Sequence, residues 1–79
     1  MARVRIKFTY PTEKITDPII HSISKNFELI SNIRRAEVSE KVGWVVLELE
    51  GKQSNIESAL EWVKGQDVRV DPVEGDVVH

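Results

Sequence analysis

The chain has 79 residues, no cysteine and a formal net charge of −2 at pH 7. This length allows one domain, and a chain without cysteine has no disulfide framework, thiolate metal site, iron–sulfur cluster or cysteine nucleophile of its own. A mildly acidic chain without a basic cluster argues against nucleic-acid binding. No apolar run reaches the length of a signal peptide or membrane span, so we expect a soluble, cytoplasmic protein without membrane insertion.

Apolar and polar residues alternate from Arg3 to Tyr10, which predicts a half-buried strand. The predicted inward face of this strand carries Val4, Ile6, Phe8 and Tyr10. Pro11 ends the strand, because proline has no N–H to donate to a neighbouring strand.

A helix is predicted next, with Thr16 or Asp17 as its capping residue and Pro18 at the first helical position. Apolar residues at nearly helical spacing form its predicted buried stripe, which is Ile19, Ile20, Ile23, Phe27 and Ile30. We expect this helix to end near Leu29.

The segment Asn32–Glu40 predicts a second strand, in which Ile33 is out of phase with Ala36 and Val38. A single alternation cannot bury all three side chains. We therefore expect a bulge near Arg34–Arg35 that shifts the phase by one residue.

A tight turn at Lys41–Gly43, with glycine as the permissive residue, leads to a third strand over Trp44–Glu50. One face of the third strand carries Val45, Leu47 and Leu49. The opposite face carries Trp44, Val46, Glu48 and Glu50.

The second helix is predicted to begin at Ser54 or Asn55, since Ser54 and Glu57 have the spacing of a capping box. Its buried stripe is predicted to be Ile56, Ala59, Leu60 and Val63. Gly65 is expected to stop the helix, and Trp62, beside the stripe, is expected to be partly buried.

The last predicted strand is Asp67–Val73, with Val68 and Val70 facing inward, and residues 74–79 are expected to form a loose tail. The resulting order, β-α-β-β-α-β, predicts a ferredoxin-like α+β fold with two helices on one face of a four-stranded antiparallel sheet. We expect one domain over residues 1–79, with a core of about residues 3–73.

Catalytic and cofactor chemistry is not indicated by this sequence. His21 and His79 have no partner at metal-ligand or catalytic-triad spacing, and no glycine-rich phosphate loop is present. Glu48 and Glu50 on a strand face are interpreted as solvating charges. We therefore predict a protein that is not an enzyme and has no metal or cofactor.

The predicted fold is shared with RNA-recognition domains, which place base-stacking aromatics on the two central strands. Here the corresponding strands carry Arg5, Lys7, Val46 and Glu48, with Trp44 as one aromatic residue. One tryptophan does not form a stacking platform, so no nucleic-acid partner is predicted.

Four segments together resemble the NIL domain family, over roughly residues 4–73. The segments are Ser31–Val38, Val42–Gly51, Asn55–Val63 and Val68–Asp71. NIL domains are known as C-terminal regulatory domains of methionine-importer ATPases, where they bind methionine and pair as dimers. Relatives also occur alone or fused to ferredoxin-type domains, and the fold is similar to that of amino-acid-binding ACT domains.

The resemblance implies an amino-acid-binding regulatory module, forming a homodimer and linked to sulfur amino-acid transport or metabolism. The candidate ligand-binding residues are Asn32, Ile33, Arg34, Val38 and Trp44. Asn32 and Ile33 match the first two motif positions of the family, whereas Arg34 stands where the family usually has leucine or isoleucine. An amide and a guanidinium suit the carboxylate of an amino acid. Asn32 has an alternative role, which is to stop the first helix and start the second strand through local backbone bonds.

Trp44 and Val46 fall on the sheet face that the helices are predicted to leave open, so they are candidate interface residues. The alternative for Trp44 is a flank of the core with the stem of Arg5 or Lys7 over its ring. A second functional hypothesis follows from this face. In it the protein is a docking module without a small ligand, and it binds an enzyme, a transporter or a ferredoxin.

Overall fold

A computed structural model describes residues 1–11, 19–39 and 41–73 of the chain. Within them the elements are β1 (Ala2–Pro11), α1 (Ile19–Asn26), β2 (Ile30–Val38), β3 (Val42–Gly51), α2 (Gln53–Lys64) and β4 (Arg69–Pro72). This order confirms the predicted ferredoxin-like α+β fold. The predicted caps of the first helix at residues 16–18, and the predicted tail at residues 74–79, lie outside the described residues.

The four strands form one antiparallel sheet in the order β2-β3-β1-β4. The central pair, β1 and β3, is in register along its whole length, from Ala2 opposite Gly51 to Pro11 opposite Val42. Among the described residues, strands β2 and β4 are therefore the edges of the sheet, and each has one side without a neighbouring strand.

The core lies between one face of the sheet and both helices. Phe8, Leu47 and Leu49 from the sheet are buried together with Ile23 of α1 and Ile56 of α2. The inward sides of β1 and β3, and most of the predicted helical stripes, are confirmed. Partly buried side chains that flank this core are Val4, Tyr10, Ile20, Phe27, Leu60, Trp62 and Val70. The rings of Phe27 and Trp62 lie 6.3 Å apart, and the partial burial predicted for Trp62 is confirmed.

The first helix ends earlier than predicted, at Asn26 rather than near Leu29. Glu28 has a φ of 54°, a left-handed conformation that a helix cannot contain, and it redirects the chain. Leu29 then enters the core while Ile30 begins β2 with 54% of its surface exposed. Ile30 is therefore not part of the buried stripe of the helix, and that prediction is wrong.

The predicted bulge in the second strand is present, because the register of β2 against β3 shifts between Ile33 and Arg35. The shift brings Ile33, Ala36 and Val38 onto one face, the face that carries the helices, since they pair with Leu47, Val45 and Gly43. All three are nevertheless exposed, Ile33 to 59% and Val38 to 61%. Their predicted burial is wrong because β2 is an edge strand.

Gly43 lies inside β3, opposite Tyr10 and Val38, and not in the turn where the sequence had placed it. The hairpin is closed instead by Ser39, whose backbone N–H and hydroxyl both donate to the carbonyl oxygen of Val42. The Ser39 hydroxyl also accepts from the Val42 N–H. A side chain that bonds locally to the backbone supplies the turn.

The N-cap of the second helix is Lys52, which comes before the predicted caps Ser54 and Asn55 and makes no side-chain capping bond. The predicted capping role of Ser54 is therefore wrong. Gly51 is buried against Leu29, and the chain passes directly from β3 into α2, which brings Ile56 into the core. Gly65 is the C-cap, as predicted, and its N–H donates to the Glu61 carbonyl.

The last strand is shorter than predicted, four residues from Arg69 to Pro72. Asp67 has a φ of 62° and therefore cannot belong to a strand. Val68 is buried just before β4 begins, and Val70 is partly buried within it.

Candidate functional site

The first three candidate residues lie at the bulge of β2, where the backbone directs them differently. Asn32 is opposite Glu48 on the face of the sheet that the helices leave uncovered, which we call the open face. Ile33 is opposite Leu47 on the helix face, and Arg34 is the extra residue of the bulge. All three are exposed. Asn32 and Ile33 lie on opposite faces as successive strand residues do, and the bulge leaves Arg34 without a residue opposite it on β3.

Val38 and Trp44 lie at the other end of the same strand pair. Val38 is on the helix face opposite Gly43, and Trp44 is on the open face opposite Glu37. Trp44 and Glu48 are four residues apart on β3, which corresponds to about 13 Å. Within one chain, Trp44 is therefore distant from Asn32.

Trp44 and Val46 are half-buried on the open face, the position predicted for them. The Lys7 ammonium nitrogen lies 4.9 Å from the centre of the Trp44 ring, a cation–π distance. A basic side chain is therefore placed over this ring through its ammonium group, and the interface role of Trp44 stays a prediction.

The open face near Asn32 carries paired charges on β1 and β3. Arg5 donates to the Glu48 carboxylate at 2.6 Å, and Arg3 donates to Glu50 at 3.2 Å. The hydrogen bond from Arg5 holds the pKa of Glu48 below its ordinary value of 4.5. Desolvation of the carboxylate acts in the opposite direction and raises the pKa. The positive charges of Arg5, Arg34 and Arg3 lower the pKa further. Glu48 is therefore ionised at neutral pH.

Glu48 is the residue near this site that the sequence interpretation missed, since its side chain was assigned a solvating role. The register of β2 on β3 places it opposite Asn32, and Arg34 is close enough to act on its pKa. The Asn32 amide therefore lies across from the Glu48 carboxylate, and the Arg34 guanidinium is near enough to favour the charged form of Glu48. Alternation in the sequence assigns a residue to a face, but it does not give the register between two strands.

The alternative role of Asn32 as a strand start does not match its position, since β2 begins two residues earlier at Ile30. Among the described residues, its side chain makes no hydrogen bond to the local backbone. The amide is therefore available to a ligand.

Within residues 1–11, 19–39 and 41–73, no group of three His, Asp or Glu side chains is placed to bind a metal ion. His21 is exposed on α1. Neither helix in this part of the chain has the length and apolar character needed to cross a membrane.

These features define a small ferredoxin-like α+β module that exposes a long edge strand and an open sheet face. The NIL domain family model matches residues 4–72. The chain belongs to the NIL domain family.

The solved structures that share the fold include a transporter domain and a designed protein. The C-terminal domain of an ABC transporter ATP-binding protein from Enterococcus faecalis superposes with a TM-score of 0.77 at 18% identity, covering 92% of this chain and 86% of that chain. The de novo designed protein Foldit4 superposes with a TM-score of 0.54 at 14% identity, covering 90% of this chain and 93% of the designed chain. A comparison with curated proteins gives no significant match.

Proposed function

We propose that this chain is a non-catalytic regulatory module that binds an amino acid such as methionine at an interface between two copies. The observation that carries the proposal is that Asn32 on the edge strand β2 lies opposite Glu48 on β3, with Arg34 near enough to lower the pKa of Glu48. Membership of the NIL family supports it.

The three side chains match the charges that every free amino acid carries. The Asn32 amide and the Arg34 guanidinium donate to the ligand carboxylate. Glu48, ionised at neutral pH, accepts from the ligand ammonium group, and one of its two oxygens is already held by Arg5. Ile33 and Val38 are exposed on the helix face of β2, whereas Asn32 and Glu48 lie on the open face, so within one copy they do not line the same surface.

The biological setting is part of the same proposal. The similar domain from Enterococcus faecalis is the C-terminal part of an ABC transporter ATP-binding protein, which supports a transporter partner. The proposed link to sulfur amino-acid transport or metabolism rests on the NIL family resemblance. The proposed module is one domain over residues 1–79. It acts in the cytoplasm, which suits a chain without cysteine.

Isothermal titration calorimetry with methionine, then homocysteine and cysteine, tests the proposal. Saturable heat at micromolar to low-millimolar affinity is the expected result. Methionine methyl ester is the matched control, and we expect it to bind more weakly because it lacks the carboxylate charge. Absence of heat with all three amino acids, from protein shown to be folded by circular dichroism, would overturn ligand binding.

A second candidate function is docking of a protein partner on the open face, and the half-burial of Trp44 and Val46 there favours it. Aromatic anchors dominate the energetics of such interfaces. A pull-down with wild type and Trp44→Ala tests this role, with Ile30→Ala on the same face as the control. Equal recovery of every partner by Trp44→Ala would reject the open face as the docking surface.

A further inference from the structure

Ion pairs on the described part of the open face use most of its acidic side chains. The pairs are Arg3–Glu50, Arg5–Glu48 and Arg69–Asp71, the last at 3.0 Å. Lys7 and Arg35 lie on the same face, and neither forms a salt bridge with any described residue. The open face therefore retains two cations whose charge is not balanced by a carboxylate within the described part of the chain.

The two unbalanced cations lie on either side of an apolar strip, which consists of Trp44 and Val46. Val46 is on β3, with Lys7 opposite it on β1 and Arg35 opposite it on β2. Adjacent strands lie about 4.8 Å apart, so the Cα atoms of the two cations are separated by about 10 Å. Trp44 precedes Val46 by two residues on the same face, and both are half-buried. This face thus presents an apolar centre between two positive charges.

The contacts of Lys7 leave its charge available to a partner. Asp71 is the residue opposite it on β4, but that carboxylate is bonded to Arg69. The Lys7 ammonium lies instead 4.9 Å from the centre of the Trp44 ring. A cation–π contact near solvent is weaker than a charge-assisted hydrogen bond to a carboxylate. Arg35 is exposed on the edge strand. Both cations are therefore able to bind a carboxylate without losing a strong contact.

The remaining charge on this part of the face is negative. Glu37 is opposite Trp44, two residues from Arg35, and has no salt-bridge partner among the described residues. Two cations and one anion leave the surroundings of the apolar strip positive, although the whole chain has a net charge of −2. An acidic partner is therefore favoured over a basic one, and over a second positive open face.

We infer that the open face binds an acidic segment of a protein partner, in which an apolar side chain lies between two carboxylates. The apolar side chain packs on Trp44 and Val46, and the carboxylates bind Lys7 and Arg35. This inference names the chemistry of the partner in the second candidate function, and it rests on that function for the choice of a protein as the occupant.

Titration of the full chain, labelled with ¹⁵N and followed by NMR, tests the inference. The probe is the synthetic peptide Glu-Glu-Phe-Leu-Glu-Glu, and the controls replace its glutamates by lysine or its central pair by alanine. The acidic peptide is expected to shift the amide signals of Lys7, Trp44 and Val46 in a saturable way. We expect no binding by the lysine peptide, weaker binding by the alanine peptide, and a dissociation constant that rises with salt.

Substitutions on the open face measure the charge preference. Lys7→Glu and Arg35→Glu are each expected to raise the dissociation constant at least tenfold. Lys7→Gln, which removes the charge without reversing it, gives a smaller rise and serves if Lys7→Glu fails to fold. Glu37→Gln is expected to bind the acidic peptide more tightly, a gain that damage to the fold would not produce. Lys25→Glu, at an exposed lysine of α1, makes the same change of net charge and is expected to leave the dissociation constant unchanged.

Signal shifts confined to other surfaces, equal binding of the lysine peptide, or wild-type affinity in both Lys7→Gln and Arg35→Glu would each overturn the inference. Stronger shifts of the same signals with single-stranded oligothymidine would replace the acidic protein by nucleic acid. The same shifts on raising the protein concentration alone, without an effect of peptide, would replace it by a second copy. Loss of protein partners by Trp44→Ala in the pull-down, with no binding of the acidic peptide, would retain docking on the open face and overturn only its acidic chemistry.

Discussion

Arg5 and Glu48 are directly opposite each other on β1 and β3, and the Arg5 Nη2 donates to the Glu48 Oε2 at 2.6 Å. Both side chains are largely shielded, with 25% and 19% of their surfaces exposed. On the far side of Glu48 lies Asn32, on the edge strand. The Arg5–Glu48 ion pair therefore links the two central strands, β1 and β3, next to the candidate ligand residue Asn32 on β2.

Acid should weaken the contribution of this pair to folding. The folded-state pKa of Glu48 is lowered, so its stabilisation is complete above the ordinary value of 4.5 and is lost as the pH falls through the lowered pKa. We expect Glu48→Gln to be less stable than wild type at neutral pH, with a difference that shrinks on acidification. Urea unfolding across this pH range measures it.

The control for this acid effect is Glu50→Gln. The Arg3–Glu50 pair is longer, 3.2 Å, and more exposed, so its pH-dependent effect should be smaller. A difference between Glu48→Gln and wild type that stays constant below pH 4.5 would contradict the assignment.

Removing the Asn32 amide should abolish amino-acid binding while the fold stays intact. Asn32 is exposed and its side chain bonds to no described residue, so Asn32→Ala changes the unfolding free energy by no more than about 0.5 kcal/mol. Calorimetry with methionine, beside circular dichroism, measures both effects. Asn26→Ala, at an exposed asparagine on α1, is the matched control. Wild-type affinity in folded Asn32→Ala would reject Asn32 as a ligand residue.

Substitution of two isoleucines compares the stability contribution of a core side chain with that of a side chain on the edge strand. Ile23 is fully buried, so Ile23→Ala should lower the unfolding free energy by about 2–5 kcal/mol. Ile33 is 59% exposed, so Ile33→Ala should change it by less than about 0.5 kcal/mol in dilute protein. Urea unfolding at low protein concentration compares them. Equal destabilisation by the two substitutions would mean that Ile33 is covered in the monomer.

Replacing Gly51 by any residue with a side chain is predicted to destabilise the fold. A Cβ at this position would lie 2.6 Å from Cδ2 of Leu29, a side chain that is only 5% exposed. Gly51→Ala should therefore cost about 1–3 kcal/mol through overpacking, as measured by thermal or urea unfolding. Gly65→Ala is the control, since Gly65 is exposed with a φ of −69° that alanine adopts freely. We expect it to change stability by less than about 0.5 kcal/mol, and a larger loss there than at Gly51 would contradict this account.

The order and type of the elements followed from the sequence, because each depends on neighbouring residues. The alternation of apolar and polar residues along β1 and β3 indicates which side chains are buried. The change of that alternation around Arg34 predicted the bulge in β2. The boundaries were less predictable. Asp67 adopts a left-handed conformation, and α2 begins at Gln53 without a side-chain cap, so neither boundary follows the local signals from which it was predicted.

The tertiary structure alone decided the strand order and register. The apolar character of Ile33, Ala36 and Val38 suggests buried positions. The strand order β2-β3-β1-β4 instead places them on an edge strand, where they are exposed. The pairing of Asn32 with Glu48 depends likewise on how β2 lies on β3. Local sequence determines which face a side chain takes, whereas the neighbour it meets depends on contacts between distant segments, which form only when the whole sheet assembles.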